Sequence, residues 1–272
     1  MDTIYQALAE IEKNHESAAL CTVVKSEGST PRHVGSKMLV YPDGKFIGSV
    51  GGGDLEHRVL DEAWIAMGDG ESRLITYRMS DPSRGDPGVC GGTVEVFVEP
   101  ILPPAMILVI GAGHVGKAVV HLAKWLGFRV AVSDDRPEFC TPESVRGADA
   151  YYPVEMGKIP EHMKINKQTY IVITSRGSNL DQDGLPSLLA SNAAYIGVIG
   201  SRRRWLTTVK GLKTKGVPED RIARVHSPMG LELNAETPEE IAVSIMAEVL
   251  MVKDKGTGKP MKGKQAEAKQ AA

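Results

Sequence analysis

Apolar residues recur at helical spacing at the start of the chain and then change to the spacing of strands. Ile4, Leu8 and Ile11 fall at i, i+4 and i+7 behind Asp2 and Thr3, either of which can cap, so an amphipathic helix is predicted over residues 3–14. The runs ALCTVVK (19–25), SKMLVY (36–41) and KFIGSV (45–50) are short and β-rich, and the PDG of 42–44 turns the last two into a hairpin. A triglycine at 51–53 then opens a second helix carried by Leu55, Val59, Leu60 and Ala63 through Met67. Two more strands follow, RLITYR (73–78) and TVEVFVEP (93–100).

The texture changes after PILPPA (100–105), whose prolines suit neither a strand interior nor a helix interior and predict a stiff connector. Beyond it the buried-looking strands MILVIG, RVAVSD, YIVITS and YIGVIG alternate with helix-length stretches, the pattern of a parallel sheet covered on both faces. The closing helix starts at TPEE, with Thr237 as N-cap, Pro238 at the first helical position and Glu240 completing a capping box. The predicted fold class is α/β: a small α+β domain over 1–100, a proline-rich linker over 101–105 and a Rossmann-like domain over 106–252. The lysine- and glycine-rich tail, 253–272, is too poor in apolar residues to build a core and is expected to be disordered.

Composition narrows the chemistry. The 272 residues are 42% apolar, enough for two cores, and 32 basic against 34 acidic side chains leave a net charge of −2. Neither nucleic acid nor an anionic membrane surface is indicated as a partner, so recognition of an anion has to be local. Cys21, Cys90 and Cys140 are too few and too widely spaced for a disulfide framework or a paired zinc site, which fits a reducing cytoplasm. No apolar run is long enough for a membrane span or a signal core.

Gly111, Gly113 and Gly116 form GxGxxG between a predicted strand and a helix, with Asp134 placed 18 residues beyond Gly116 at the end of the next strand. Glycines there allow a tight turn and close approach of a pyrophosphate, and the carboxylate suits a ribose 2′-hydroxyl. NAD(P) or another nucleotide is therefore a candidate ligand, with His114 placed where it could face a phosphate. A domain that keeps this turn only for folding has the same sequence. The Tyr-x-x-x-Lys pair of short-chain dehydrogenases is missing, because Tyr41 and Lys45 span the PDG turn, and no P-loop lysine follows the triglycine. Further anion-binding pieces are EGSTPRHVGSK (27–37), GVCGG (88–92) and GSRRR (200–204). Cys90, between glycine amides, is a candidate soft metal or sulfur ligand.

Taken together, GSTPRHVGSKMLV, GSVGGGDLEHRVLDEA, GVCGGTVEVFVEP, VIGAGHVGKAV with VSDDRPEF, YIGVIGSRRR and SPMGLELNAETPEEIAVSIMAEVL resemble the XdhC/CoxI family from about residue 15 to 252. The resemblance implies a chaperone that binds the molybdenum cofactor (molybdopterin), supports its sulfuration by a partner sulfurtransferase and delivers it to a xanthine dehydrogenase-type molybdenum hydroxylase. It also implies a homodimer. The residues it carries over are Ser29, Pro31, Arg32 and Gly35; Gly51, Gly52 and Gly53 with Glu56; Cys90, Gly91 and Gly92; and the Rossmann glycines with Asp134. It further carries over Arg176 and Asp181, and Gly200, Ser201 and Arg202. One departure stands out: where the family shows Thr-Arg-Gly-His, this chain has Ser175 to Ser178, which puts a shared catalytic step in doubt. No catalytic residue is assigned. Two other readings stay open, an NAD(P)-dependent oxidoreductase and a nucleotide-sensing regulatory module.

Overall fold

A computed structural model describes residues 3–78 and 92–262, which divide into two compact units, Met1–Pro103 and Pro104–Ala272. In the first unit α1 (Ile4–Asn14) starts at Thr3, whose hydroxyl and the Gln6 side chain cap each other's backbone amides. The strands β1 (Ala18–Glu27), β2 (Lys37–Val40) and β3 (Phe46–Gly48) precede α2 (Gly53–Asp69), and β4 (Arg73–Arg78) and β5 (Thr93–Ile101) follow it. They form an antiparallel sheet in the order β3-β2-β1-β5-β4. Alternation along β1 sends Ala19, Cys21 and Val23 under α2, where they meet Leu55, Val59 and Ala63. Ala18, with Leu39 of β2, points the other way, to Ala7 and Ile11 of α1.

β5 continues through Pro100 to Ile101, into the stretch predicted as connector. Pro100 is tolerated because β4 stops pairing at Val98, leaving β1 as the only neighbour at that register, so one side of the strand needs no N–H donor.

The second unit runs β6 (Met106–Ile110), α3 (His114–Trp125), β7 (Arg129–Ser133), β8 (Ala150–Tyr152), α4 (Ile159–His162), β9 (Thr169–Ile173), α5 (Ser178–Leu189), β10 (Tyr195–Val198), α6 (Arg202–Thr214), α7 (Glu219–Ile222), β11 (Val225–His226) and α8 (Pro238–Lys253). All its strands are parallel, in the order β11-β10-β9-β6-β7-β8, the doubly wound arrangement. Ile107, Val109, Val130 and Val132 face α3 and α8. Their neighbours Leu108, Ile110 and Ala131 face the α4–α5–α6 side. The closing helix has the predicted Thr237–Glu240 capping box with Pro238 at its start. β8 and β11 were not predicted, because strands of three and two residues leave almost no periodicity to read.

Pro186 sits inside α5 and has no N–H for the carbonyl of Gln182. The Lys215 ammonium donates to that carbonyl instead, at 3.1 Å. After α8 the Gly256 N–H donates to the Met251 carbonyl, so the start of the predicted tail folds back on the helix; residues 263–272 lie outside those described. Among the described residues no helix is long and apolar enough to cross a membrane.

Candidate functional site

Two groups of predicted residues come together, one in each unit. In the first, the triglycine has three successive positive φ values, 155° at Gly51, 80° at Gly52 and 60° at Gly53, a path that L side chains resist. A Cβ on Gly51 would strike Pro31 and Leu55, whereas the Cβ positions of Gly52 and Gly53 open onto free space. Gly51 therefore packs the loop, and Gly52 and Gly53 leave the N-terminal amides of α2 bare. Ser49 links the corner: its hydroxyl donates to Glu56 at 2.6 Å and accepts from the Gly51 amide at 3.3 Å and from Arg32 Nε at 3.4 Å. Beyond that one contact, the exposed Arg32 guanidinium has no partner among the described residues. Gly92 abuts Ser29 so closely that a Cβ would lie 2.3 Å from the Ser29 carbonyl oxygen. Ser29, Pro31, Arg32, the triglycine, Glu56 and Gly92 are thus neighbours in one corner, while Gly35, at φ 91°, only turns the loop. Cys90 and Gly91 lie outside the described residues.

In the second unit a cavity of about 410 Å³ opens at the carboxyl ends of β6, β7 and β9, where the strand order reverses. Thr174 clasps the glycine turn by donating to the Gly111 carbonyl at 2.8 Å. A Cβ on Gly116 would fall 1.9 Å from the Gly111 carbonyl oxygen, but one on Gly113 meets nothing within 4 Å. Gly116 serves the packing of helix on turn, and Gly113 leaves room for a ligand.

Asp134 departs from its predicted role. Its buried carboxylate accepts the Ala112 amide at 2.8 Å, the Arg136 amide at 3.0 Å, and Arg136 Nε and Nη2 at 2.9 and 3.0 Å, which uses the acceptor capacity expected to meet a ribose hydroxyl. Burial pushes its pKa up, but the bonds from Arg136 and Ala112 outweigh that and hold it below the usual aspartate value. The Arg136 guanidinium also lies 3.8 Å above the centre of the Phe139 ring.

Arg176 lines the cavity and donates to both oxygens of Asp135, at 2.9 and 2.8 Å. Because β6 lies between β7 and β9, this ion pair bridges the carboxyl end of β6 and its glycine turn. His114 faces elsewhere: as the first residue of α3 it lines a depression against α8 with Lys117 and His121, away from the nucleotide crevice. Asp181 is fully buried, hydrogen-bonded to Ser175 and held by Arg204 Nε and Nη2 at 3.2 and 2.8 Å. Arg204 donates in addition to the Ser175 hydroxyl at 2.7 Å. Ser175 therefore keeps a structural hydroxyl at the position where the chain departs from the family pattern.

Ser201 caps α6, accepting the Arg204 amide at 3.2 Å, and Arg202 is exposed on the helix without entering the cavity. Sequence reasoning chose Arg202 and missed Arg204. The missed signal was helical phase, since Arg204 shares a stripe with Thr208 and Leu212, the buried residues of α6. Arg136, Asp135, Thr174 and Ser49 were also missed, because their partners lie on other strands or loops.

Comparison with known proteins agrees with this architecture. The XdhC Rossmann domain model matches residues 107–249, and the XdhC and CoxI family model matches residues 12–78. YqeB of Escherichia coli (strain K12), an uncharacterized protein, is 35% identical over 94% of this chain and 47% of its own length, so the chain spans about half of that relative. A Bacillus subtilis (strain 168) protein described as a probable xanthine dehydrogenase component is 26% identical over 93% of this chain and 98% of its own. PaoD of Escherichia coli (strain K12), a molybdenum cofactor insertion chaperone, is 22% identical over 92% of this chain and 88% of its own.

Proposed function

The chain belongs to the XdhC and CoxI family, and we propose on that footing that it is a molybdenum cofactor chaperone. In this reading it binds the finished molybdopterin as cargo, shields it in the cytoplasm while a sulfurtransferase sulfurates it, and delivers it to a xanthine dehydrogenase-type molybdenum hydroxylase. A homodimer is part of the same expectation. The observation that carries the reading is the corner in the first unit, where the bare amides around Gly52 and Gly53 lie near the unpaired face of Arg32. Such amides and a guanidinium hold a phosphate without acid–base chemistry. That corner fits the cargo's phosphate, and Cys90 would add a soft ligand for its metal.

An NAD(P)-dependent oxidoreductase would need a proton donor or acceptor beside the reacting carbon. Among the described residues the cavity of the second unit is lined by carboxylates, guanidinium groups and hydroxyls, with no histidine, tyrosine, lysine or cysteine. Nothing there favours the oxidoreductase reading.

The test is to produce the full chain in a host that makes molybdopterin and in one that cannot, then measure bound molybdenum and the fluorescence of the oxidised pterin. Pterin and molybdenum are expected to co-purify from the first host only, with retention reduced about tenfold by Arg32→Ala, Gly52→Val or Cys90→Ala, the size of one lost charge-assisted contact. A chain from the replete host carrying no more pterin than an unrelated control ends the proposal.

A further inference from the structure

We infer that the crevice of the second unit holds a flat heterocyclic ring against the guanidinium of Arg136, as part of a ligand whose phosphate lies at the Gly113 turn. Three features of this chain support the assignment. First, Asp134 fixes the plane of the guanidinium from one edge, through Nε at 2.9 Å and Nη2 at 3.0 Å, so that little freedom remains to be lost on stacking. Second, Phe139 covers one face of the group at 3.8 Å; Phe139 does not line the cavity and Arg136 does, so what the cavity meets is the remaining face and edge of a rigid planar cation. Third, Gly113, on the same cavity, offers open space where any side chain would intrude, which places the phosphate at the start of α3 and the ring at the β7 side.

Charge decides what the Arg136 end can accept. Asp134 and Asp135 stand beside it, and both arginines of the crevice are already engaged, Arg136 by Asp134 and Arg176 by Asp135. A second phosphate there would meet two carboxylates and no free cation, whereas an uncharged ring gains the stacking contact without that repulsion. The ligand class is therefore a phosphorylated planar heterocycle. A nucleotide base and a pterin both satisfy it, and the inference does not depend on the cargo proposed above for the first unit.

The test is calorimetric titration of the full chain with adenosine diphosphate, with 6-hydroxymethylpterin diphosphate and with the ring-free ribose 5-phosphate and pyrophosphate. At least one ring-bearing ligand is expected to bind about tenfold or more tightly than both ring-free ones, the size of one good stacking contact. Arg136→Lys keeps the charge but not the plane, and should reduce that ligand's advantage to less than about threefold. A preference for adenosine diphosphate would assign a nucleotide, and a preference for the pterin would make the crevice a hold on the pterin. Equal binding with and without a ring overturns the inference, as does no binding by any of the four. Should Arg136→Lys melt well below the parent, the comparison of ligands on the parent chain decides the question alone.

Discussion

Asp134 receives Arg136 through two parallel N–H···O bonds of 2.9 and 3.0 Å and accepts the Ala112 amide of the glycine turn at 2.8 Å. One carboxylate thus ties the end of β7 to the turn after β6. In the sequence the same acid looks like a receiver of ribose hydroxyls.

Asp134→Asn should cost about 2–4 kcal/mol of the second unit's stability, since it weakens charge-assisted bonds and leaves Arg136 without its counter-charge. Because the folded pKa of Asp134 is lowered, its contribution is fully present above the ordinary value of 3.8 and is lost as the pH falls through the folded value. Urea unfolding monitored between pH 7 and pH 3 checks both parts: Asn at 134 should lower stability at pH 7 and make the acid side of the curve shallower.

The two inner glycines of the turn should respond oppositely to alanine. Gly116→Ala places a Cβ 1.9 Å from the Gly111 carbonyl oxygen and should destabilise the unit by about 3 kcal/mol or more. Gly113→Ala meets no atom within 4 Å at an unstrained φ of −74°, and should change stability by less than about 0.5 kcal/mol. The bulkier Gly113→Val should still fold and lose any ligand that uses the turn. Thermal melts with and without ligand separate these outcomes.

Arg204→Ala strips the fully buried Asp181 of its cation. The expected loss is about 3 kcal/mol, at the lower end for a buried pair because the Arg204 side chain is 21% exposed. Ser175→Ala should cost about 1 kcal/mol, and the double variant less than the sum, because the three groups share one network. A double-mutant cycle by chemical denaturation measures the coupling; strict additivity would contradict the network.

Glu248 of α8 accepts from Tyr195 at 2.6 Å and from the Gly230 amide at 2.7 Å, and its other oxygen lies 3.0 Å from His226 Nδ1. Burial raises its pKa, but the bonds from His226, Tyr195 and Gly230 together prevail and leave it below the ordinary glutamate value of 4.5. Its stabilising contribution is complete above that value and disappears as the pH falls through the lowered one. Glu248→Gln should lower stability at neutral pH by about 1–3 kcal/mol and remove part of the acid dependence. A melting temperature that is unchanged at pH 7 would show that the network carries no net stability.

The repeating patterns were legible because they are local. Thr237, Pro238 and Glu240 place the start of α8 through bonds within one turn of chain, and Ile107, Val109, Val130 and Val132 announce a covered strand by burial alone. The candidate site was legible only where backbone geometry demands glycine, as at Gly51 and Gly111, since that requirement is written at a single position. His114 was misread because a residue number inside the loop does not say which way the first turn of a helix points its side chain.

By itself the sequence determined the two kinds of sheet, the caps, the glycine turns and the run of arginines after β10. The tertiary structure decided how the charges are used. It gave Asp134 to Arg136, Asp181 to Arg204 and Asp135 to Arg176, and left Arg32 nearly unpaired in its corner. A residue's type fixes what it can bond, but its partner is whichever group the crossover connections bring within about 3 Å, and that distance has no trace in sequence spacing.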